Sequence, residues 1–153
     1  MNLSDCIILF VFIIYAIISY IDLKYFRIPN SAIILIVFLG LIYNISKYNS
    51  LNYFYYYLLV FLLVIICGFG LFILEIWGAG DAKLIAASVF FIDLTDIVYF
   101  VSGSFAFGLL WGVGFTLSKN TSATTFDIGK FLKMQIPFAP GIFTSLVVTK
   151  IAF

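Results

Sequence analysis

The chain has 153 residues, of which 65% are hydrophobic and 10% are charged, and its mean hydropathy is +1.23. A soluble domain is about 45–50% apolar and about 25% charged, so a soluble globular protein is excluded. Eight basic and seven acidic residues give a net charge of +1, which provides no basic surface for nucleic acid, and we therefore expect a small integral membrane protein.

Charged residues divide the chain into six apolar runs, which we predict to be six transmembrane helices. A membrane-spanning helix needs about 20 mostly apolar residues, so six helices would use about 120 residues and leave no room for a soluble domain. We therefore expect one all-α, membrane-embedded domain over residues 1–153. The runs lie at residues 6–21, 31–46, 53–74, 84–92, 97–118 and 134–149.

The fourth run is too short to cross a bilayer by itself. It reaches about 20 residues only as a helix over residues 79–98, which would carry Asp81 and Lys83 at one end. A charged side chain that faces lipid is unfavourable, so we expect both side chains to face the interior of the bundle. This placement is the first indication that Asp81 is functional.

The distribution of basic residues predicts the orientation of the helices. The first run lacks the basic flank and the cleavage site of a signal peptide, so we interpret it as a retained helix with its N-terminus outside. The predicted inner loops then hold most of the Lys and Arg residues, in agreement with the positive-inside rule. These are Lys24, Arg27, Lys83, Lys119, Lys130 and Lys133. The sequence thus predicts a multi-pass protein of the cell membrane with both termini outside.

Two aspartates fall on the cytoplasmic side in this topology, since Asp22 ends the first helix and Asp81 begins the fourth. Two carboxyl groups a few ångströms apart share a proton, so one can accept a proton from water while the other donates to a carbonyl oxygen. The absence of histidine excludes Ser-His and Cys-His dyads and an HExxH zinc site, and we expect no metal or cofactor. A helix-end cap or a membrane-edge anchor is the alternative role for each acid.

Two glycines and a lysine flank Asp81. Gly78 and Gly80 permit unusual backbone angles and close approach. A glycine turn before a helix also presents N–H groups that can stabilise a carboxylate or an oxyanion, although a plain small-residue loop has the same composition. Lys83 could hold the Asp81 carboxylate, orient a substrate or act as a positive-inside anchor.

Prolines mark two further segments. Pro29 and Asn30 follow Asp22 and are typical of a helix start. Pro137 and Pro140 lie inside the sixth apolar run, where they break the helix, and a broken helix is tolerated in a membrane where its backbone lines a cavity. We expect all four residues to support the site or to bind substrate.

Three segments together resemble one family. GAGDAKL at residues 78–84 looks like the GxGD motif of the prepilin peptidases, the membrane aspartic proteases also called type IV leader peptidases. DLKYFRIPN at residues 22–30 is similar to the first-aspartate segment of that family. IPFAPG at residues 136–141 resembles its late IPFGP segment, with Ala139 in place of the usual glycine.

The resemblance implies a GxGD-type bundle in which Asp22 and Asp81 are the catalytic pair. It implies cleavage of prepilin-like or preflagellin-like precursors at the cytoplasmic membrane face, just before their hydrophobic helix. The long members of the family carry a cysteine-rich N-terminal segment and also methylate the product. Since no such segment precedes the first helix here, the chain is expected to resemble the short, peptidase-only members.

Two other functions are compatible with paired acids in a membrane. In an ion- or proton-coupled transporter, Asp22 and Asp81 would be ion sites, and polar residues would be expected at mid-membrane depth in several helices, where they are sparse. In an assembly scaffold without catalysis, both acids would be replaceable without loss of function.

Overall fold

The computed structural model describes residues 3–48, 51–74, 77–119 and 137–152, and the regular elements in these ranges are all helical. Six α-helices lie there. They are α1 (Leu3–Tyr25), α2 (Asn30–Tyr48), α3 (Leu51–Ile73), α4 (Ala79–Ser88), α5 (Ile97–Lys119) and α6 (Ala139–Ala152). A short 3-10 helix, Val89–Phe91, follows α4 directly.

Four of these helices contain stretches long and apolar enough to cross a membrane. The stretches are Leu3–Tyr25, Asn30–Tyr48, Asn52–Ile73 and Ile97–Phe115, and they coincide with the first, second, third and fifth predicted runs. The prediction of an all-helical membrane protein is therefore confirmed. The count of six spans and the outside position of both termini stay predictions. Residues 120–136, which include most of the third predicted inner loop and the start of the sixth run, lie outside the described ranges.

The fourth helix is shorter than the predicted 79–98. The α-helix ends at Ser88, the 3-10 helix ends at Phe91, and a turn at residues 93–96 leads into α5. Two side chains of α2 stabilise the segment that ends this helix. The Asn44 amide donates to the Phe90 carbonyl at 2.7 Å, and Lys47 Nζ lies 2.6 Å from Asp93 Oδ1. Polar side chains that hydrogen-bond locally favour turns over helix. The turn itself is closed by a backbone hydrogen bond, in which the Asp96 N–H donates to the Asp93 carbonyl at 2.9 Å.

The short α4 forms the centre of the bundle. From Leu84 to Ser88 its side chains are inaccessible to solvent and lipid, and α2, α3 and α6 pack around it. In contrast, α3 lies at the periphery and most of its side chains are exposed, as expected for a helix that faces lipid. Because α4 begins with the glycine-rich segment, this arrangement fixes Asp81 near the interior of the protein.

A left-handed residue ends α1 one turn after Asp22. Phe26 has φ 52°, and its N–H donates to the Asp22 carbonyl at 2.8 Å, which closes the last turn of the helix. The chain then reverses, and the Pro29 carbonyl accepts the Ala32 N–H at 3.1 Å at the start of α2. Pro29 and Asn30 therefore begin the second helix, as predicted.

Two glycines allow α5 and α6 to cross in backbone contact. A Cβ atom built on Gly141 would lie 2.4 Å from Cα of Gly108, and one built on Gly108 would lie 2.3 Å from the Phe138 ring. Small residues commonly permit such close crossings in membrane proteins. The crossing holds residues 137–141 against α5, and α6 also packs on α1.

Candidate active site

Asp22 lies in the last turn of α1 and receives a hydrogen bond from the start of α6. Its side chain is buried, and its Oδ2 atom accepts the Ala139 N–H at 3.0 Å. Ala139 is the first residue of α6, where N–H groups have no partner within the helix. Pro140, at the next position, has no N–H to satisfy and is well suited to a first helical turn. The proline-containing segment thus ends in a free backbone donor, and that donor binds the Asp22 carboxyl group.

Asp81 occupies the first turn of α4, close to the residue that caps the helix. The residue is 9% exposed, and its carboxyl group interacts with the Gly78 backbone N–H. An acidic side chain at the third helical position, directed back to the cap, resembles one half of a capping box. The local sequence therefore favours this side-chain direction of Asp81.

Gly78 is required for space rather than for its backbone angles. Its φ and ψ are −73° and 141°, which any residue can adopt, and the described residues include no glycine with positive φ. A Cβ atom at this position would lie only 2.7 Å from Asp81 Oδ2. The expectation of unusual backbone angles at Gly78 and Gly80 was therefore wrong, whereas the expectation of close approach agrees with the structure.

The structure brings the two acids together. The carboxyl groups of Asp22 and Asp81 are close enough for their charges to interact, and they approach from the C-terminal end of α1 and the N-terminal end of α4. Asp22 also accepts the Ala139 N–H, and the Asp81 carboxyl group interacts with the Gly78 N–H. In the described ranges, no group of three or more His, Cys, Asp or Glu residues is arranged to hold a metal ion. Two carboxyl groups whose charges interact disfavour ionisation of both at once.

The glycine-rich segment at residues 78–84 packs against the segment that contains Pro29 and Asn30. A Cβ atom on Gly80 would lie 3.3 Å from Ile28 Cβ, and Lys83 Nζ donates to Asn30 Oδ1 at 3.3 Å. Lys83 thus binds Asn30 rather than the Asp81 carboxylate that the sequence offered as one partner. These contacts fix the first turn of α4 against the start of α2.

Trp77, which directly precedes the cap of α4, is a residue of this site that has no motif in the sequence to mark it. Its ring is buried, stacks on Phe105 with the centroids 4.3 Å apart, and contacts Phe138 edge-on at 6.2 Å. Trp77 thereby connects the glycine-rich segment to the proline segment next to Ala139. Since 20% of the chain is aromatic, one tryptophan gives little signal without a structure.

An apolar cavity opens between α1, α5 and α6. Its volume is about 570 Å³, and Leu23, Phe107 and Gly114 are among its lining residues. Pro137 and Pro140, which flank the first residue of α6, are both buried.

The chain matches the sequence model of the type IV leader peptidase family over residues 7–113, more than half of its length. The match contains both aspartates with their flanking segments, and the proline segment at 137–141 lies beyond it. No curated protein and no solved structure matches the chain.

Proposed function

Because the chain belongs to the type IV leader peptidase family, we propose that it is a membrane aspartic endopeptidase whose catalytic residues are Asp22 and Asp81. Membership of the family makes the chain a peptidase, and its apolar helices make it membrane-embedded. The observation that carries the finer proposal is the electrostatic contact between two buried carboxyl groups. Asp22 accepts the Ala139 N–H, and Asp81 interacts with the Gly78 N–H, which belongs to a different motif.

The proposed reaction uses one proton shared between the two acids. Like charges in close contact disfavour double ionisation, so one carboxyl group is ionised and the other is protonated. The ionised group takes a proton from water, whose oxygen bonds to the scissile carbonyl carbon, and the protonated group donates to the carbonyl oxygen. The carbon–nitrogen bond then breaks as the leaving nitrogen takes up a proton.

The proposed substrates are prepilin-like or preflagellin-like precursors, cleaved at the cytoplasmic face before their hydrophobic segment. One prediction from the sequence and one observation support this class. The predicted inner loops are rich in Lys and Arg and lie on the same side as both acids, and the apolar cavity beside Leu23 suits an apolar side chain of the precursor. Gly78, Gly80, Lys83, Pro29, Asn30, Pro137 and Pro140 would support the site by the contacts described above.

The test is cleavage of a precursor that is expressed together with the protein. We expect Asp22→Asn and Asp81→Asn each to abolish the shift from precursor to mature product while the protein still inserts into the membrane. Asp96→Asn is the matched control, because Asp96 lies in the turn before α5 and bonds to Thr95, and it should process normally. Full processing by either Asp22→Asn or Asp81→Asn would exclude the paired-acid mechanism.

A further inference from the structure

A buried pair of hydroxyl groups joins α1 to α4, deeper in the bundle than the two acids. Tyr15 on α1 and Ser88 on α4 are both completely inaccessible, and the Tyr15 hydroxyl bonds to Ser88 Oγ. Ser88 Oγ also lies 2.7 Å from the Leu84 carbonyl and donates its one proton to it. The Tyr15 hydroxyl must therefore be the donor to Ser88.

The hydroxyl pair and the acid pair are spaced equally on both helices. Tyr15 precedes Asp22 by seven positions, and Ser88 follows Asp81 by seven positions. Seven residues are about two helical turns, or about 10 Å, and they return to the same face of a helix. Asp22 lies in the last turn of α1 and Asp81 in the first turn of α4, so the two helices run antiparallel. The hydroxyl pair and the acid pair therefore correspond to one register, that is, one position of α1 along α4.

We propose that the hydrogen bond from Tyr15 to Ser88 sets this register and positions Asp22 opposite Asp81, an inference that rests on the proposed function. Tyr15 and Ser88 are positioning residues, because they lie two turns away from the reacting groups. A slide of α1 by one residue is about 1.5 Å, whereas a catalytic group must be held to about 0.5 Å. A hydroxyl group buried in apolar surroundings without a hydrogen-bond partner is strongly unfavourable, so the register in which Tyr15 and Ser88 bond to each other is favoured.

The neighbour of Tyr15 supports the same role. The Phe143 ring of α6 stacks on the Tyr15 ring with centroids 6.2 Å apart, and α6 is also the helix whose first N–H binds Asp22. Tyr15 thus connects α1 to α4 and to α6 at one level. Two turns further along α1, the first turns of α4 and α6 provide the partner acid of Asp22 and its N–H donor, respectively.

The variant Tyr15→Phe removes this hydrogen bond cleanly. It keeps the ring that stacks on Phe143, and Ser88 keeps its bond to the Leu84 carbonyl, so no buried group loses its only partner. We expect kcat for precursor cleavage to fall about tenfold, since misplacement by about 1 Å can cost a hundredfold, while KM stays within about twofold.

A second readout separates positioning from a loss of folded protein. The interval between the two limbs of the pH–rate profile reports the coupling between the two acids, and it does not depend on the amount of active enzyme. We expect this interval to narrow in Tyr15→Phe. The neighbouring basic groups remain in place, because Lys24 lies over the Tyr25 ring, Arg27 is exposed and Lys83 binds Asn30.

Ser19→Ala is the control on the same helix face. Ser19 lies between Tyr15 and Asp22, and its buried Oγ has no partner in the described part of the chain, so kcat and the pH profile should stay unchanged. Ser88→Ala should act in the same direction as Tyr15→Phe. The double variant should have no lower kcat than the worse of the two single variants, and Ser88→Ala carries the test if Tyr15→Phe does not accumulate.

The outcomes distinguish this inference from the proposed function. If Asp22→Asn and Asp81→Asn abolish cleavage while Tyr15→Phe keeps the wild-type kcat and pH profile, the positioning role is overturned and the peptidase assignment stands. If the two Asn variants cleave normally, the catalytic pair itself is refuted, and the positioning role with it. A lower kcat with an unchanged pH interval would also overturn positioning, because it would reflect loss of folded enzyme alone.

Discussion

Replacement of Gly78 by alanine should reduce activity with little effect on folding. The added Cβ would lie 2.7 Å from Asp81 Oδ2, whereas ordinary contacts begin at 3.4 Å, so the carboxyl oxygen must move by about 0.7 Å, more than the tolerance of about 0.5 Å for a catalytic group. The backbone angles of Gly78 suit alanine, and exchange at a helix cap costs at most about 1 kcal/mol. The displaced atom is the end of a side chain, which can move without rearranging the backbone.

The measurement is kcat for cleavage of a precursor, together with thermal unfolding of the detergent-solubilised protein. We expect kcat of Gly78→Ala to fall at least about tenfold, while the unfolding temperature changes by a few degrees at most. Two glycines provide a graded control. A Cβ on Gly80 would lie 3.3 Å from Ile28 Cβ, and one on Gly70 would meet nothing within 4 Å.

The loss of activity should therefore decrease in the order Gly78→Ala, Gly80→Ala, Gly70→Ala. Wild-type kcat in Gly78→Ala would refute the reasoning, because it would mean that the position of the Asp81 carboxyl group does not limit catalysis. A fall in kcat that only parallels a fall in folded protein would refute it as well, since the predicted effect is local.

Two further predictions concern the cavity and the opposite end of the bundle. Gly114→Leu should raise KM for the precursor severalfold, because Gly114 lines the apolar cavity and has open space around it, whereas Gly70→Leu should leave KM unchanged; equal KM values would exclude the cavity as a binding site. Burial opposes ionisation of Asp93, but hydrogen bonds from Lys47 and Tyr48 and the Lys47 charge hold the pKa of its carboxyl group below its ordinary value. This contribution to stability is present at neutral pH and is lost as the pH falls through the lowered pKa of the folded state. Thermal unfolding measured against pH should therefore show less loss of stability in acid for Asp93→Asn than for the wild type, with cleavage unaffected, and identical acid profiles would contradict the ion pair's role.

The apolar runs predicted the long helices well because charged residues stand at the ends of these runs. Charged and polar side chains mark both ends of the first and third helices, and α1 and α3 extend only a few residues beyond the predicted runs. The run at residues 84–92 has no charged residue at the point where the α-helix becomes a 3-10 helix, and Ser88 there bonds to the Leu84 carbonyl within the helix. Its end depends on hydrogen bonds from Asn44 and Lys47 of another helix, which the local sequence does not contain.

The two acids of the proposed site could be singled out from the sequence, whereas their contacts could not. Asp22 and Asp81 stand out because charges are scarce in this chain. The partner of Asp22 is a backbone N–H 117 positions later, and a backbone donor has no sequence signature. The hydrogen bond from Tyr15 to Ser88 is equally hidden, because one tyrosine among ten tyrosines and 19 phenylalanines gives no contrast.

The hydrogen bond between Ala139 and Asp22 has a consequence for synthesis of the protein. Asp22 belongs to α1, whereas its donor belongs to α6 and is synthesised 117 positions later. A nascent chain that has already inserted both aspartates therefore still lacks the group that holds one of them. If Asp22 acts as proposed, its carboxyl group gains this hydrogen bond only when α6 docks, so incomplete chains in the membrane lack this part of the site.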